Sequence, residues 1–300
     1  MTSPELEHLT AIARKHGLPI PEALPEPWTG ATSHVYPCGD AVVKIAFDQP
    51  DASEAVITDA AMNPHARSLG VRVPDLIAFG DAVDLLPVPY AVYRRVPQAV
   101  PLSDFAGDRA RVEAAWESVG RDLALVHAVR RDASFPVTLR EFRQSPQVDP
   151  RPWVDELRNR DLLADADAAW LHDLLERLAT ATLADAPLCL CHGDVNASNV
   201  MVDARTGEYR ALVDWAGAGW LDPVWDFAGV ALDVVPSMLA GHRSAAPLPE
   251  DGTAEVRILW CQIQTRLYAT LGMVDEPAAI TRIAVSLTQV RAYASSLGLS

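Results

Sequence analysis

Apolar and polar positions repeat with two different periods along this chain, and the changeover divides it. In PELEHLTAIARKHG, residues 4–17, Leu6, Leu9, Ile12 and Ala13 share one helical face and Gly17 ends the run, which predicts an amphipathic helix. After a proline-rich stretch from Pro19 to Pro27, WTGATSHVYPCGDAVVKIAF predicts an antiparallel hairpin turning at Cys38-Gly39-Asp40. DASEAVITDAAMNPHARSLG predicts a helix stopped by Gly70, and VRVPDLIAFGDAVDLLPVPYAVYRRV two or three further strands.

From about Pro101 helical spacing takes over. DRARVEAAWESVGRDLALVHAV, DADAAWLHDLLERLATATL and most of 254–297 predict helices. Between them lie a loop after the apolar PLCLC, a strand over 199–203, a turn at Ala204–Glu208, a strand over 209–214, and a helix from about Pro223. The expected class is α+β: a small antiparallel β-rich lobe over 1–97 with one inserted helix, then a larger mostly helical lobe over 98–300.

Composition changes this picture in few places. A 300-residue chain with 49% hydrophobic residues is long enough to bury a sizeable core. No uninterrupted apolar run of about 18 residues occurs, and the N-terminus lacks a basic-then-apolar leader, so a cytoplasmic protein without a membrane span is expected. Cys38, Cys189, Cys191 and Cys261 are too few for a disulfide framework, and Cys189 and Cys191 read as buried thiols on one face of a strand. The net charge of −15 argues against nucleic acid. From Glu141 onward there are 22 Asp and Glu against 12 Arg and no Lys, which suits either a cationic small molecule or a merely solvated acidic surface.

The chain has only two lysines, Lys15 and Lys44. Lys44 stands inside the apolar AVVKIAF, where a charge is costly, so it is expected to do a task arginine cannot. The segment CHGDVNASNVMVD, followed by YRALVDW, gathers a second set of polar groups. The hairpin between Asn199 and Asp214 folds back, so both can face a common Mg²⁺ through oxygen atoms, while Asp194 accepts the proton of an attacking hydroxyl. Turn chemistry alone would also supply Asp, Asn and Gly here, but not a carboxylate directly after the apolar ALV.

HGDVNASNVMVD with YRALVDWAGAGWLDPVWDFA closely resembles the aminoglycoside phosphotransferase family, which has the protein-kinase-like two-lobed fold. The resemblance implies Asp194 as catalytic base, Asn199 and Asp214 as Mg²⁺ ligands, and His192 orienting the catalytic loop, with Asp222 and Asp226 bracing it. It implies ATP binding by the first lobe. Gly30, Thr32 and Ser33 in GATSHVY fall where a phosphate-covering loop belongs, Lys44 matches the phosphate-neutralising strand lysine, and Arg94 and Val96 in YAVYRRV sit, with Tyr93 and Arg95, on the adenine-reading linker. The helix carboxylate that partners Lys44 is Glu54 or Asp59, the latter one methylene shorter than the family's glutamate. Val43 and Ile45 are candidates for an apolar roof over the base, or for ordinary core.

The implied activity moves the γ-phosphoryl group of ATP to a hydroxyl of a small molecule, with an aminoglycoside leading. Alternatives are a metabolic kinase acting on a sugar, a choline-like or homoserine-like alcohol or a macrolide, and a non-catalytic nucleotide-binding module. Acceptor contacts are expected around 140–160, 220–226 and 255–270.

Overall fold

The computed structural model describes residues 4–299 apart from 84, 130, 132–134, 136, 137, 142–147, 183–187, 274, 275 and 277; the acceptor contacts expected at 142–147 lie outside the described residues. In chain order the elements are α1 (Pro4–His16), β1 (Trp28–Thr29), β2 (Ser33–Cys38), β3 (Ala41–Ala46), α2 (Pro50–Ser68), β4 (Leu76–Gly80), β5 (Tyr90–Arg94), β6 (Ala99–Pro101) and α3 (Arg109–His127). There follow β7 (Arg140–Glu141), α4 (Arg151–Asn159), α5 (Asp165–Thr182), β8 (Cys189–Cys191), β9 (Val200–Asp203), β10 (Tyr209–Leu212), β11 (Gly219–Leu221), α6 (Val235–Ala245), α7 (Ala254–Leu271) and α8 (Ala278–Ser296).

These elements pack as two compact units. One comprises Met1–Ala115, Asp132–Leu139 and His192–Ala218, and the other Trp116–Arg131, Arg140–Cys191 and Gly219–Ser300. The division follows packing rather than chain order, and so differs from the boundary expected at residue 97. Residues 192–218 join the first unit because β6 pairs with β9, Val100 opposite Val202, and because the 3-10 turn Trp215–Gly217 packs on α2.

The first unit carries an antiparallel sheet in the order β1-β2-β3-β5-β4. Leu9, Ile12 and Ala13 of α1 form its core together with Val43, Ile45, Tyr90 and Val92. Side chains alternate across a strand, so Val42, Lys44 and Ala46 share one face of β3, and Val43 and Ile45 point to the other. Of the two alternatives for Val43 and Ile45, the structure shows the second: both pack in that core. The hairpin β9–β10 lies beside β6 in a separate three-stranded sheet.

The second unit is built on helices, with the short strands β7, β11 and β8 forming its only sheet among the described residues. All four cysteines are free and buried. The helix expected from Pro223 is instead a single 3-10 turn, Pro223–Phe227, and α6 begins only at Val235. The segment after the turn is tied to α7 instead: Gln262 Nε2 donates to Phe227 O at 2.5 Å and Val230 O at 2.6 Å. The helical run expected over most of 254–297 is two helices, α7 and α8, interrupted after Leu271. No helix is long and apolar enough to cross a membrane among the described residues.

Candidate active site

The first unit by itself brings Lys44, Asp59, Asp194, Asn199 and Asp214 together around one centre. Lys44 is 5% exposed, and its Nζ donates to Asp59 Oδ2 at 2.9 Å and to Asp214 Oδ1 at 2.8 Å. Burial pulls the lysine pKa down, but the two carboxylates outweigh it and leave the ammonium above its ordinary value. Of the two carboxylates expected on α2, Asp59 is therefore the one that holds Lys44, and Glu54 lies exposed on the same helix.

Asp59 is buried and accepts two further hydrogen bonds. Tyr93 Oη donates to Oδ2 at 2.9 Å, and the Trp215 backbone N–H donates to Oδ1 at 2.7 Å. Asp214 differs in kind: its side chain is 42% exposed and its backbone is left-handed, at φ 65° and ψ 68°. A non-glycine residue in that region is strained and persists only where its surroundings hold it. Burial raises its carboxyl pKa, Lys44 lowers it more, and the net shift is downward, so Asp214 is ionised.

The loop between β8 and β9 orients Asp194 by a series of short-range bonds. Asn196 Nδ2 donates to Asp194 Oδ1 at 3.0 Å, and Asn199 Nδ2 to Asp194 Oδ2 at 3.0 Å and Asp194 O at 2.9 Å. Asn196, within the loop itself, thus holds the carboxylate. Asp203 accepts from Arg205 N, Thr206 N and Thr206 Oγ1 in the β9–β10 turn. Asp194 is exposed, yet the protein around it raises its pKa, mainly by desolvation, with hydrogen bonds from the two asparagines opposing.

His192 is fully buried beneath this loop. Val213 O can only accept, so Nε2 carries the proton and donates to it at 3.0 Å, and Nδ1 is left to accept from the Asp194 N–H at 3.3 Å. Its ring meets Trp215 edge-on, with centroids 4.6 Å apart. One imidazole thereby links the backbone of Asp194 to that of the residue before Asp214. Gly193 and Gly217 make the same junction tight. Gly193 has φ +84°, and a Cβ there would lie 1.9 Å from Gly217 O. Neither glycine drew notice in the sequence; the signal was the glycine beside each of Asp194 and the DWAG segment.

The remaining expected residues are placed as follows. Gly30 and Ala31 are exposed at the β1–β2 turn, with Gly30 N–H on Ser33 O at 3.0 Å and Phe47 N–H on Thr32 O at 2.9 Å. Ser33 is buried at the start of β2 opposite Ala46, so this turn lies one side-chain repeat beyond Lys44 on the hairpin. On the linker, the Arg94 N–H donates to Asp75 O and the Arg95 N–H to Asp40 O, both at 2.8 Å. Those two donors are occupied within the protein. Arg94's side chain turns outward to Asp40 at 2.8 Å. In the second unit, Asp222 is buried against Arg257 at 2.6 Å and caps Val224 N–H, and Asp226 pairs with His127 at 3.0 Å.

The oxygen-only donor set of Asn199 and Asp214 suits a hard divalent cation such as Mg²⁺. Asp214 is the open member of the two carboxylates on Lys44, at 42% side-chain exposure against 4% for Asp59, and the Asn199 amide turns its nitrogen to Asp194 and its oxygen away.

A model of the phosphotransferase enzyme family matches residues 27–259. Among solved structures, the GDP and kanamycin complex of APH(2'')-IIia aligns at TM-score 0.69 and 14% identity over 96% of this chain and 99% of that one. A choline/ethanolamine kinase family protein from Mesorhizobium loti aligns at TM-score 0.63 and 19% identity over 98% and 95%. The streptomycin-ATP-APH(2'')-IIa ternary complex aligns at TM-score 0.58 and 15% identity over 96% and 97%. At these identities the likeness is one of fold.

Proposed function

The chain belongs to the phosphotransferase enzyme family, and on that premise we propose that it transfers the γ-phosphoryl group of ATP to a hydroxyl of an aminoglycoside-type small molecule. The observation that carries the phosphotransfer reading is the pair of linked carboxylates in the first unit. Ionised Asp214 is held on Lys44, while Asp194, its pKa raised, is presented at the surface by two asparagines.

In this reading Asp194 accepts the hydroxyl proton as the acceptor oxygen forms its bond to the γ-phosphorus. The bond from that phosphorus to the β-γ bridging oxygen breaks, and ADP departs with the electron pair. Positioning and charge stabilisation do most of the work in such a transfer. Lys44 neutralises the α- and β-phosphates, and His192 keeps the Asp194 loop in register with Val213. Asn199 and Asp214 would hold Mg²⁺, which would offset the negative charge that develops on the transferred phosphoryl group. The Val96 N–H serves the base, and Gly30, Thr32 and Ser33 lie on the hairpin that would cover the phosphates.

Acidity supports a cationic acceptor. The net charge is −15, and the region after residue 140 has no lysine. Two of the aligned structures are complexes with the aminoglycosides kanamycin and streptomycin. A second reading, an amino-alcohol acceptor of the choline type, draws on the choline/ethanolamine kinase family protein, which aligns over as much of the chain.

The test is ATP consumption with Mg²⁺ against a panel of aminoglycosides, macrolides and small amino alcohols. Turnover that requires an aminoglycoside and is abolished in Asp194→Ala is expected. Turnover only with choline-like alcohols would move the acceptor to the second reading. An Asp194→Ala protein as active as the parent would overturn the mechanism.

A further inference from the structure

The three hydrogen bonds on Asp59 join parts of the first unit that are far apart in sequence. Oδ2 accepts from Lys44 Nζ and Tyr93 Oη, each at 2.9 Å, and Oδ1 accepts from the Trp215 backbone N–H at 2.7 Å. That N–H belongs to the peptide immediately after Asp214. Its direction is set by the Asp214 ψ of 68°, part of a left-handed conformation that carries an energetic cost for a non-glycine residue. The Trp215 side chain is anchored separately: it is fully buried, with Nε1 donating to Leu212 O at 3.3 Å. The peptide is thus fixed on one side by its own indole and on the other by Asp59.

We infer that Asp59 is a positioning residue with two tasks: it sets Lys44, and through the Trp215 N–H it locks the left-handed backbone that aims the Asp214 carboxylate. Tyr93 fixes the Asp59 rotamer that does both. The hydroxyl of Tyr93 is buried, and both burial and the adjacent Asp59 favour its protonated, donating form. This gives the Tyr93 side chain a function, although the residue lies on a strand whose expected role was main-chain base recognition.

A short side chain is required for this latch. With α2 packed on the Trp215–Gly217 turn, the aspartate reaches the peptide N–H directly at 2.7 Å. A glutamate at 59 carries its oxygens one methylene further. It can still reach the flexible Lys44, but it meets the Trp215 peptide only by displacing that peptide or the helix. Restoring the more usual glutamate should therefore impair the site rather than improve it. The consequence for turnover rests on the phosphotransfer reading; the backbone lock does not.

The experiment compares Asp59→Glu and Tyr93→Phe with the parent in three measurements: amide hydrogen exchange over 213–217 without ligand, ATP affinity by calorimetry, and steady-state kinetics. In Asp59→Glu the Trp215 amide should exchange about tenfold faster or more, with far-UV circular dichroism unchanged. Its kcat should fall about 10- to 100-fold with KM for ATP within about threefold, the signature of lost transition-state alignment rather than lost binding. Tyr93→Phe, nearly isosteric, should shift the same amide and kcat in the same direction by a smaller factor. Parent-like exchange at Trp215 in Asp59→Glu would overturn the lock. Parent-like values in Tyr93→Phe would remove Tyr93 from it. Should Asp59→Glu fail to fold, Asp59→Ala, which removes the acceptor and leaves Lys44 with Asp214, takes its place, and parent-like exchange at Trp215 there would overturn the lock. Exchange needs no turnover, so absence of phosphoryl transfer to any acceptor would count against the proposed function and leave the lock to be judged by Trp215.

Discussion

Lys44 Nζ lies 2.8 Å from Asp214 Oδ1, although 170 residues separate them in the chain. With Asp59 on its other side, the ammonium is shared between a buried carboxylate and an open one. Phosphate oxygens can replace only the open one. Lys44→Met should therefore lower kcat/KM for ATP by about 10² or more, the order seen when a preorganised charge-stabilising donor is removed. It should also lower the melting temperature, because Asp59 stays buried. Tyr93 and the Trp215 N–H remain on Asp59, so the cost should be smaller than the roughly 3–5 kcal/mol of breaking an unsupported buried pair. Lys44→Arg should not restore activity, since a planar fork does not fit a 5% exposed site built for a point donor. Steady-state kinetics and thermal unfolding check both; ATP kinetics unchanged in Lys44→Met would rule the role out.

Asp194 and Asp214 are pushed in opposite directions, and pH profiles should separate them. Burial raises the Asp194 pKa, whereas the Asp214 pKa, despite burial, is brought down by Lys44. A general base works only when deprotonated, so kcat/KM should rise with pH through a value above the ordinary carboxylate pKa of about 3.9. Asp214 is already ionised across that limb. The residual activity of Asp194→Asn should lose the limb. Stability follows the same shift with a definite sign. A raised folded-state pKa means the folded protein holds this proton more tightly than the unfolded chain. Ionised Asp194 therefore costs stability above its folded pKa, and Asp194→Asn should melt no lower, and by sign higher, at pH 7. An acid limb unchanged in Asp194→Asn would assign it to another group.

These two residues were legible in the sequence for a physical reason: each is a charge that the local pattern cannot explain. Lys44 interrupts an apolar strand, and Asp214 follows ALV at a strand end. Asp59 was only half legible. Glu54 and Asp59 are both acids on one helix, and that helix buries Asp59 and Asn63 alongside Val56 and Met62, so polarity does not mark its inner face. Contact with Trp215, 156 positions away, separates them. The segment after Pro223, expected to be a helix, was illegible for a related reason: Gln262, 35 and 32 residues downstream, binds its Phe227 and Val230 carbonyls. The side-chain tasks of Tyr93 and Asn196 leave no mark in the sequence, because a tyrosine in a strand and an asparagine in a loop are common enough to need no partner.

Arg257 and Asp222 form the second buried ion pair to test, this time for stability alone. Both side chains are at most 3% exposed, Nη1 reaches Oδ1 at 2.6 Å, and Nη2 also serves Pro249 O at 2.5 Å. Arg257→Met leaves the Asp222 charge buried without its partner and strips a donor from that carbonyl. A loss of about 3–5 kcal/mol in urea unfolding is expected. Arg257→Met combined with Asp222→Asn should cost less than the sum of the two singles, because no lone charge then remains. Additive losses would show that the pair contributes no coupling.

His242 should impose the acid limit of stability in the second unit. It is 1% exposed and stands in a relay: Asp226 faces His127 Nε2 at 3.0 Å, His127 Nδ1 faces His242 Nε2 at 3.0 Å, and His242 Nδ1 donates to Ala246 O at 2.9 Å. Ala246 O can only accept, so Nε2 of neutral His242 must accept from His127. Protonating it would set two donors against each other inside the protein. Burial first and His127 second hold its pKa down to about 4, with the hydrogen bond to Ala246 O and the charges of Asp251 and Asp226 opposing. Between pH 4 and the unfolded value of about 6.5, the unfolded chain binds a proton that the folded protein refuses. Stability is therefore present above about 6.5 and is lost as pH falls. From pH 7 to pH 5 this one group should remove about 2 kcal/mol. Urea titrations of the parent and of His242→Gln at both pH values isolate it: the parent should lose more than the variant by about that amount. Equal losses in the two proteins would place the acid sensitivity on other groups.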